Sequence, residues 1–203
     1  ANYAFVGGGR DNSCHGDEAV IGGGSFNVIL GFQSVIAGGA SNKNSGENGV
    51  VGGGESNTVS GSNAVIAGGH DNYLYGNTAV ISGGELNSAG GEGSLVAGGK
   101  RNAVLGELSS IGGGFSNRIA KFSTNSTIGG GTMNNIDSSG SVIGGGSQNV
   151  ALATASVIGG GVGNTVEDDF GFVGGGLNNR AAAYLAVVVG GEGNEATGVA
   201  SFI

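Results

Sequence analysis

The 203-residue chain is predicted to be an all-β solenoid, a stack of about thirteen short coils. Three observations predict this fold. One asparagine recurs every fifteen residues, glycine supplies 49 residues while proline is absent, and a pair of apolar, mostly β-branched residues stands at a fixed place in the repeat. A fixed period of this kind is typical of proteins in which each repeat packs only on its neighbours.

The recurring asparagine defines the repeat, and positions are counted from it. The interval is fifteen throughout, except for one of seventeen between Asn117 and Asn134, which predicts a two-residue insertion near 120–125. The thirteen asparagines are Asn12, Asn27, Asn42, Asn57, Asn72, Asn87, Asn102, Asn117, Asn134, Asn149, Asn164, Asn179 and Asn194. The whole of 1–203 is therefore expected to be a single repeat domain of thirteen coils.

Two short strands and two turns are expected in each coil. The sixth residue before the asparagine is Val or Ile in all thirteen repeats, and the second residue after it is apolar in twelve, with Asn44 as the exception. β-Branched residues bounded by glycine turns are typical of strands, and glycines at fixed internal places disfavour a helix. Strands stack roughly 4.8 Å apart, so thirteen coils predict a rod roughly 60 Å long.

The turn residues have physical reasons of their own. The third and fourth residues before the asparagine are glycine in every repeat, and glycine adopts positive φ without steric cost. Asparagine tolerates the left-handed region and bonds to nearby backbone. Stacked in register, the asparagines are expected to form an amide ladder from coil to coil, whereas aspartate would stack like charges about 5 Å apart.

A second apolar column predicts self-association. The seventh residue before the asparagine is apolar in eleven repeats, with Ser110 and Thr127 as the exceptions. Neighbouring residues of a strand point to opposite sides, so one of the pair fills the coil and the other points outward. Such a column is a large exposed apolar surface for a monomer. It predicts side-by-side homo-oligomers, most simply a parallel bundle about the long axis.

Composition excludes several partners. The net charge of −8 and the seven scattered basic residues argue against nucleic acid, because phosphate binding needs clustered Lys and Arg. No run of 18 apolar residues exists, so this chain is not expected to insert into a membrane. The glycine triplets lack a following Lys-Ser/Thr, which argues against a phosphate-binding loop.

Neither histidine predicts a metal site or a catalytic site. Cys14 falls at an interior position and is expected to be a small core thiol. His70 lies four coils from His15, roughly 19 Å away, so a metal site lacks ligands. His70 and Asp71 occupy variable turn positions, which disfavours a catalytic triad. The sequence therefore predicts a protein that is not an enzyme and that uses no metal or cofactor.

Exposed aromatic residues are the candidate ligand contacts. Tyr73 and Tyr75 flank Leu74 in one coil, Phe32 stands five residues after its asparagine, and Phe122 lies in the predicted insertion, which should bulge outward. Aromatic side chains on a polar surface are typical of protein recognition. The alternative is that they shield coil edges or pack on a neighbouring protomer.

The repeat resembles a known family. Residues 64–72 (AVIAGGHDN), 141–149 (SVIGGGSQN) and 190–198 (GGEGNEATG) are similar to the YadA-like head repeats of trimeric autotransporter adhesins, in the variety with fifteen residues per repeat. The resemblance extends over essentially the whole chain. Similar Gly-Gly-x-x-Asn repeats occur in phage and viral fibre proteins.

The resemblance implies a left-handed parallel β-roll packed as a parallel homotrimer, displayed on a bacterial surface and adhering to host matrix or to cell-surface proteins or glycans. No neck, stalk or anchor pattern stands in these residues, so outer-membrane attachment is expected to use other parts of a longer protein. The alternatives are a self-assembling extracellular filament, stacked head to tail through uncapped ends, and a phage or viral fibre module.

Overall fold

The computed structural model describes residues 2–203, and its strands are all two residues long, with no helix among those residues. The chain divides into two compact units, Ala1–Arg101 and Asn102–Ile203, both built from the same coil. Each coil contributes one strand before the repeat asparagine and one after it, and residues 2–203 contain thirteen of each. The prediction of an all-β solenoid of about thirteen coils is confirmed.

The strands of the first unit are β1 (Phe5–Val6), β2 (Ser13–Cys14), β3 (Val20–Ile21), β4 (Val28–Ile29), β5 (Val35–Ile36), β6 (Lys43–Asn44), β7 (Val50–Val51), β8 (Thr58–Val59), β9 (Val65–Ile66), β10 (Tyr73–Leu74), β11 (Val80–Ile81), β12 (Ser88–Ala89) and β13 (Leu95–Val96). The strands of the second unit are β14 (Ala103–Val104), β15 (Ser110–Ile111), β16 (Arg118–Ile119), β17 (Thr127–Ile128), β18 (Asn135–Ile136), β19 (Val142–Ile143), β20 (Val150–Ala151), β21 (Val157–Ile158), β22 (Thr165–Val166), β23 (Phe172–Val173), β24 (Arg180–Ala181), β25 (Val187–Val188) and β26 (Glu195–Ala196). In both units the odd-numbered strands form the first sheet and the even-numbered strands the second.

Neighbouring coils pair in parallel and in register. β9 pairs with β11 in the first unit, and β19 pairs with β21 in the second. The N–H of Val65 donates to the carbonyl oxygen of Ala79 at 3.0 Å, one coil further on. In-register parallel pairing places each repeat position directly over its equivalent, so every position becomes a column.

The interior of each coil is filled by the residue six places before the repeat asparagine and the residue two places after it. In the first unit Ile66 and Leu74 are fully buried, and in the second Ile143 and Ile136 are. Burial of such a side chain contributes about 1.5–3 kcal/mol relative to its exposure. The small residue two places before the buried Val or Ile, such as Ala64, is also buried. The thin core is therefore made of one Val or Ile from the first sheet, one residue of variable size from the second sheet, such as Leu74 or Ala89, and one small residue from the turn.

The left-handed residues differ in part from the prediction. Gly69, third before its asparagine, has φ 97, as expected. Asn72 itself is not left-handed, contrary to expectation, and the residue before it is, with φ 53 at Asp71. The Asn72 side chain instead donates from Nδ2 to carbonyl oxygens of the glycine turns, at 2.8 Å for Gly84. A further left-handed column stands nine residues before the asparagine, for example Asn63 with φ 55.

Each coil also has a third paired position that the sequence did not predict. The residue two before the asparagine bridges in parallel to its equivalents, and in the first unit Glu55, His70 and Glu85 follow one another in this way. The N–H of His70 donates to the carbonyl oxygen of Gly84 at 2.9 Å. The variable residues at this position therefore form a third ordered column.

The repeat asparagines are hydrogen-bonded from coil to coil, and all are buried except Asn12 and Asn194, which are half-buried. Asn72 Nδ2 donates to the Gly84 carbonyl at 2.8 Å and to Asn57 Oδ1 at 3.0 Å, and Asn72 Oδ1 accepts the N–H of Asn87 at 3.0 Å. The ladder thus joins side-chain oxygens to backbone N–H groups as well as amide to amide. Because the same side chains also bond the glycine carbonyls, the ladder fixes the turn and the coil spacing together.

Candidate functional site

The outward column of the first sheet is an apolar stripe in each unit. In the second unit it consists of Val142, Val157, Phe172 and Val187, all half-buried or exposed in the single chain. Its first-unit members are Phe5, Val20, Val35, Val50, Val65, Val80 and Leu95. The stripe is interrupted in the second unit at Ser110 and Thr127, whose hydroxyl oxygens lie 3.3 Å apart.

The residues beside the stripe are small. Two places after each stripe residue stands Gly, Ala or Ser in nearly every coil, for example Ala67 after Val65 and Gly159 after Val157, and both are exposed. No large side chain of that column stands over the stripe there. This face can therefore approach another flat surface closely.

Tyr73 and Tyr75 form an aromatic pair on the second sheet. Their ring centroids are 5.3 Å apart with planes tilted by 38°, and both rings are exposed. Tyr73 lies between Thr58 and Ser88 in the neighbouring coils, so its flanks are short hydroxylated side chains. Leu74 between them is buried, as expected from strand alternation. The structure thus brings two of the four predicted contact residues together.

Phe32 stands apart from this pair in sequence position. It occupies the turn ten residues before Asn42, and its carbonyl oxygen accepts the N–H of Asn48 at 2.9 Å. Its ring is exposed. The equivalent residues of the two adjacent coils are Asp17 and Glu47, so the Phe32 ring stands between two acidic turn positions.

The insertion presents Phe122. Strand pairing continues across it, with Ile111 opposite Ile128, so the additional residues are accommodated outside the coil. Ser123 is buried and its N–H donates to the Ala120 carbonyl at 3.1 Å. Phe122 is 82% exposed, and its carbonyl accepts the Ser139 hydroxyl at 2.8 Å. The insertion is therefore a hydrogen-bonded turn that holds one aromatic ring outward.

The polar residues considered for chemistry lie as follows. Cys14 is half-buried in β2, and burial raises the pKa of its thiol, which disfavours the reactive thiolate. His70 Nδ1 lies 3.4 Å from the Asp71 carboxylate, and both side chains are exposed. In residues 2–203 no cluster of three or more metal-ligating His, Cys, Asp or Glu side chains is found, and no pocket opens on this part of the chain.

A second exposed aromatic pair was not predicted from the sequence. In the second unit the Phe170 and Tyr184 rings meet edge to face, with centroids 5.7 Å apart. Leu185, next to Tyr184, is exposed as well. The sequence contains the signal, because large apolar residues stand nine or ten places before the asparagine in successive coils, whereas the preceding coil carries Thr154 and Ala155 there.

Comparison with known proteins adds no relative. No protein-family model matches the chain, and no curated protein matches it at a significant level. Residues 2–203 contain no helical membrane span.

Proposed function

We propose that the chain is a non-catalytic, extracellular adhesive module that assembles as a parallel homotrimer. It presents its turn columns to host extracellular matrix or to cell-surface proteins or glycans. The setting we propose is a bacterial surface, to which other parts of the protein attach it. The proposal joins the resemblance of the repeat to trimeric adhesin heads with two surfaces of the structure.

The apolar stripe is the observation that carries the proposal. Its apolar members are Val, Leu and Phe in the first unit and Val and Phe in the second, and the single chain leaves them half-buried or exposed. Contiguous exposed apolar surface of this kind marks an interface. A parallel bundle of three chains buries the stripe of each protomer against the others and closes the symmetry. The small residues beside the stripe allow the backbones to approach.

Multivalency supplies the adhesive mechanism. A trimer shows three copies of each exposed ring, so weak contacts act together and avidity can exceed single-site affinity by about 10²–10⁴-fold. We propose Tyr73, Tyr75, Phe32 and Phe122 as the ligand contacts, since aromatic rings combine apolar area with few rotatable bonds. The tyrosine hydroxyls add hydrogen-bonding capacity toward a protein or a glycan.

A matched pair of substitutions tests the assembly. Val157→Lys places a charge on the stripe, while Val150→Lys makes the same change on the outward face of the second sheet, where Arg118 and Arg180 occur naturally. We expect Val157→Lys to reduce the particle mass from three chains to one without loss of β-sheet circular dichroism. Val150→Lys should keep the three-chain mass. If both variants keep it, the stripe is not the interface.

Adhesion is tested separately on plates coated with a solubilised basement-membrane extract. We expect fluorescent beads that carry the intact chain to be retained, and expect retention to fall when Tyr73 and Tyr75 are both replaced by Ser. Retention of beads that carry the Phe122→Ser variant measures the contribution of the insertion alone. Growth of the particles into open-ended, concentration-dependent assemblies would instead indicate the filament or fibre subunit.

A further inference from the structure

An exposed apolar cluster lies on two adjacent turn columns of the second unit, nine and ten places before the repeat asparagine. It comprises Phe170, Tyr184, Leu185 and Val199 and is named here the Phe170 patch. Phe170 is 50% exposed, Tyr184 45% and Leu185 43%. The coils are joined in register, since the Leu185 N–H donates to the Asp169 carbonyl at 3.1 Å and the Ala200 N–H to the Tyr184 carbonyl at 2.9 Å.

Two of these side chains are held on a costly backbone. Phe170 and Leu185 both have φ 59, in the left-handed region that disfavours residues with a side chain. The equivalent positions of other coils in this unit include Asn125 and Gly140, which adopt that conformation more readily. Folding alone would be served better by Asn or Gly. The turn conformation recurs from coil to coil, for example at Ala155 with φ 54, so what distinguishes Phe170 and Leu185 is that large apolar side chains occupy it next to each other and exposed.

The charge beside the patch is acidic. Glu167, Asp168 and Asp169 directly precede Phe170, and Glu167 is bound by Arg180. Asp168 accepts the N–H of Asp169 and Asp169 accepts the N–H of Thr154, both at 2.8 Å. These bonds orient the two carboxylates without cancelling their charge. No Lys or Arg stands nine or ten places before the asparagine in any coil of 102–203.

We propose that the Phe170 patch is a docking site for a polypeptide segment of a partner that combines Lys or Arg with aliphatic side chains. The aliphatic groups pack on Phe170, Tyr184 and Leu185, and the basic groups face Asp168 and Asp169. An aromatic centre with a charged rim is the usual arrangement of a protein interface. The inference rests on the proposed adhesive function, because it names a class of partner for it.

The probe is a fluorescein-labelled ten-residue peptide of alternating Leu and Lys, and its binding to the intact chain is followed by fluorescence anisotropy. We expect Phe170→Asn and Leu185→Asn each to weaken binding about tenfold. Asp168→Asn should weaken it less and reduce its salt dependence. Because Asn suits left-handed backbone, the Phe170→Asn and Leu185→Asn variants are expected to fold at least as well as the parent chain.

The matched control is Leu108→Asn. Leu108 has the same turn position, φ 51 and 67% exposure in the same unit, but its coil lies outside the patch. Its substitution should leave peptide binding unchanged. A second peptide, of alternating Ser and Lys, should bind at least tenfold more weakly than the Leu-Lys peptide, because it lacks the aliphatic groups.

Several results would overturn the proposal. Among them are unchanged affinity of the Phe170→Asn variant, equal loss in Leu108→Asn, and equal binding of the two peptides. A change in particle mass on Phe170→Asn would show that a second copy of the chain covers the patch. Specific peptide binding by a chain that is not trimeric would support the patch and contradict only the proposed assembly.

Discussion

The ring of Tyr75 lies over the backbone of Gly90 in the following coil, so closely that a Cβ on residue 90 would overlap the ring. Gly90 therefore provides the space that the ring occupies. Tyr73 pairs with the same ring from the other side of Leu74, with 5.3 Å between the centroids. The pair is thus positioned by a glycine one coil away, which makes its geometry a property of the stack and not of one turn.

Substitution of Gly90 tests this positioning. Gly90→Ala should displace the Tyr75 ring and separate the pair, while the fold remains because Gly90 does not have positive φ. With four Tyr and no Trp in the chain, near-ultraviolet circular dichroism should report the loss. Gly68→Ala, whose Cβ would meet only open space, is the control and should leave the spectrum unchanged. An unaltered spectrum in Gly90→Ala would contradict the account.

Asn72→Asp tests the asparagine ladder. Asn72 Nδ2 donates to the carbonyl oxygens of Gly68 and Gly84, and a carboxylate there would face those oxygens with no proton and with a buried charge. We expect a loss of about 3 kcal/mol or more in the free energy of unfolding, measured with urea. In Asn77→Asp the exposed side chain keeps its role as acceptor for the Ser62 N–H, so the loss should be under about 0.5 kcal/mol.

Asn44 is a polar residue in an apolar column, and its replacement should stabilise the chain. Its side chain is fully buried, Oδ1 has no hydrogen-bond partner among the described residues, and Nδ2 donates to the Val35 carbonyl at 3.2 Å. Asn44→Val matches Val59 in the next coil and removes the unpaired oxygen. We expect a gain of about 1–2 kcal/mol in the free energy of unfolding. Asn42→Val, which removes a side chain of the asparagine ladder, should lower the free energy of unfolding.

The loss of folding stability at acid pH should depend in part on Glu167. The hydrogen bond from Arg180 lowers the pKa of Glu167 below its ordinary value. A carboxylate with a lowered folded-state pKa stabilises the native state above its unfolded pKa, and the contribution is lost as pH falls through the folded value. The urea midpoint should therefore decline from about pH 5 downward. Glu167→Gln should flatten that decline slightly, since the pair is exposed. A steeper decline in the variant would contradict this.

Most of the fold could be predicted from the sequence because fixed positions of the repeat indicate the buried residues and the turns. The strict position of Ile66 and its equivalents identified the buried column, and the invariant glycines identified the turns. The left-handed residues were harder to predict, because Leu86 and Leu185 have positive φ although leucine disfavours that conformation. The backbone there is set by the stacking of neighbouring coils, which overrides local preference.

The candidate surfaces were predicted less completely, for a related reason. Tyr73 and Tyr75 could be paired from strand alternation, but the space at Gly90 that fixes them follows only from stacked coordinates. Phe170 and Tyr184 are fourteen residues apart, one fewer than the fifteen of a coil, so they do not occupy equivalent positions. Their contact therefore depends on the turn geometry. Contacts between unlike positions of adjacent coils are not visible in a column-by-column reading.

The most direct test of the account is the mass of the particle in solution, measured by light scattering after size-exclusion chromatography. We expect one sharp species of three times the 19.3 kDa chain mass, independent of concentration. A stable single-chain mass would contradict it, because the apolar stripe would then be tolerated in water.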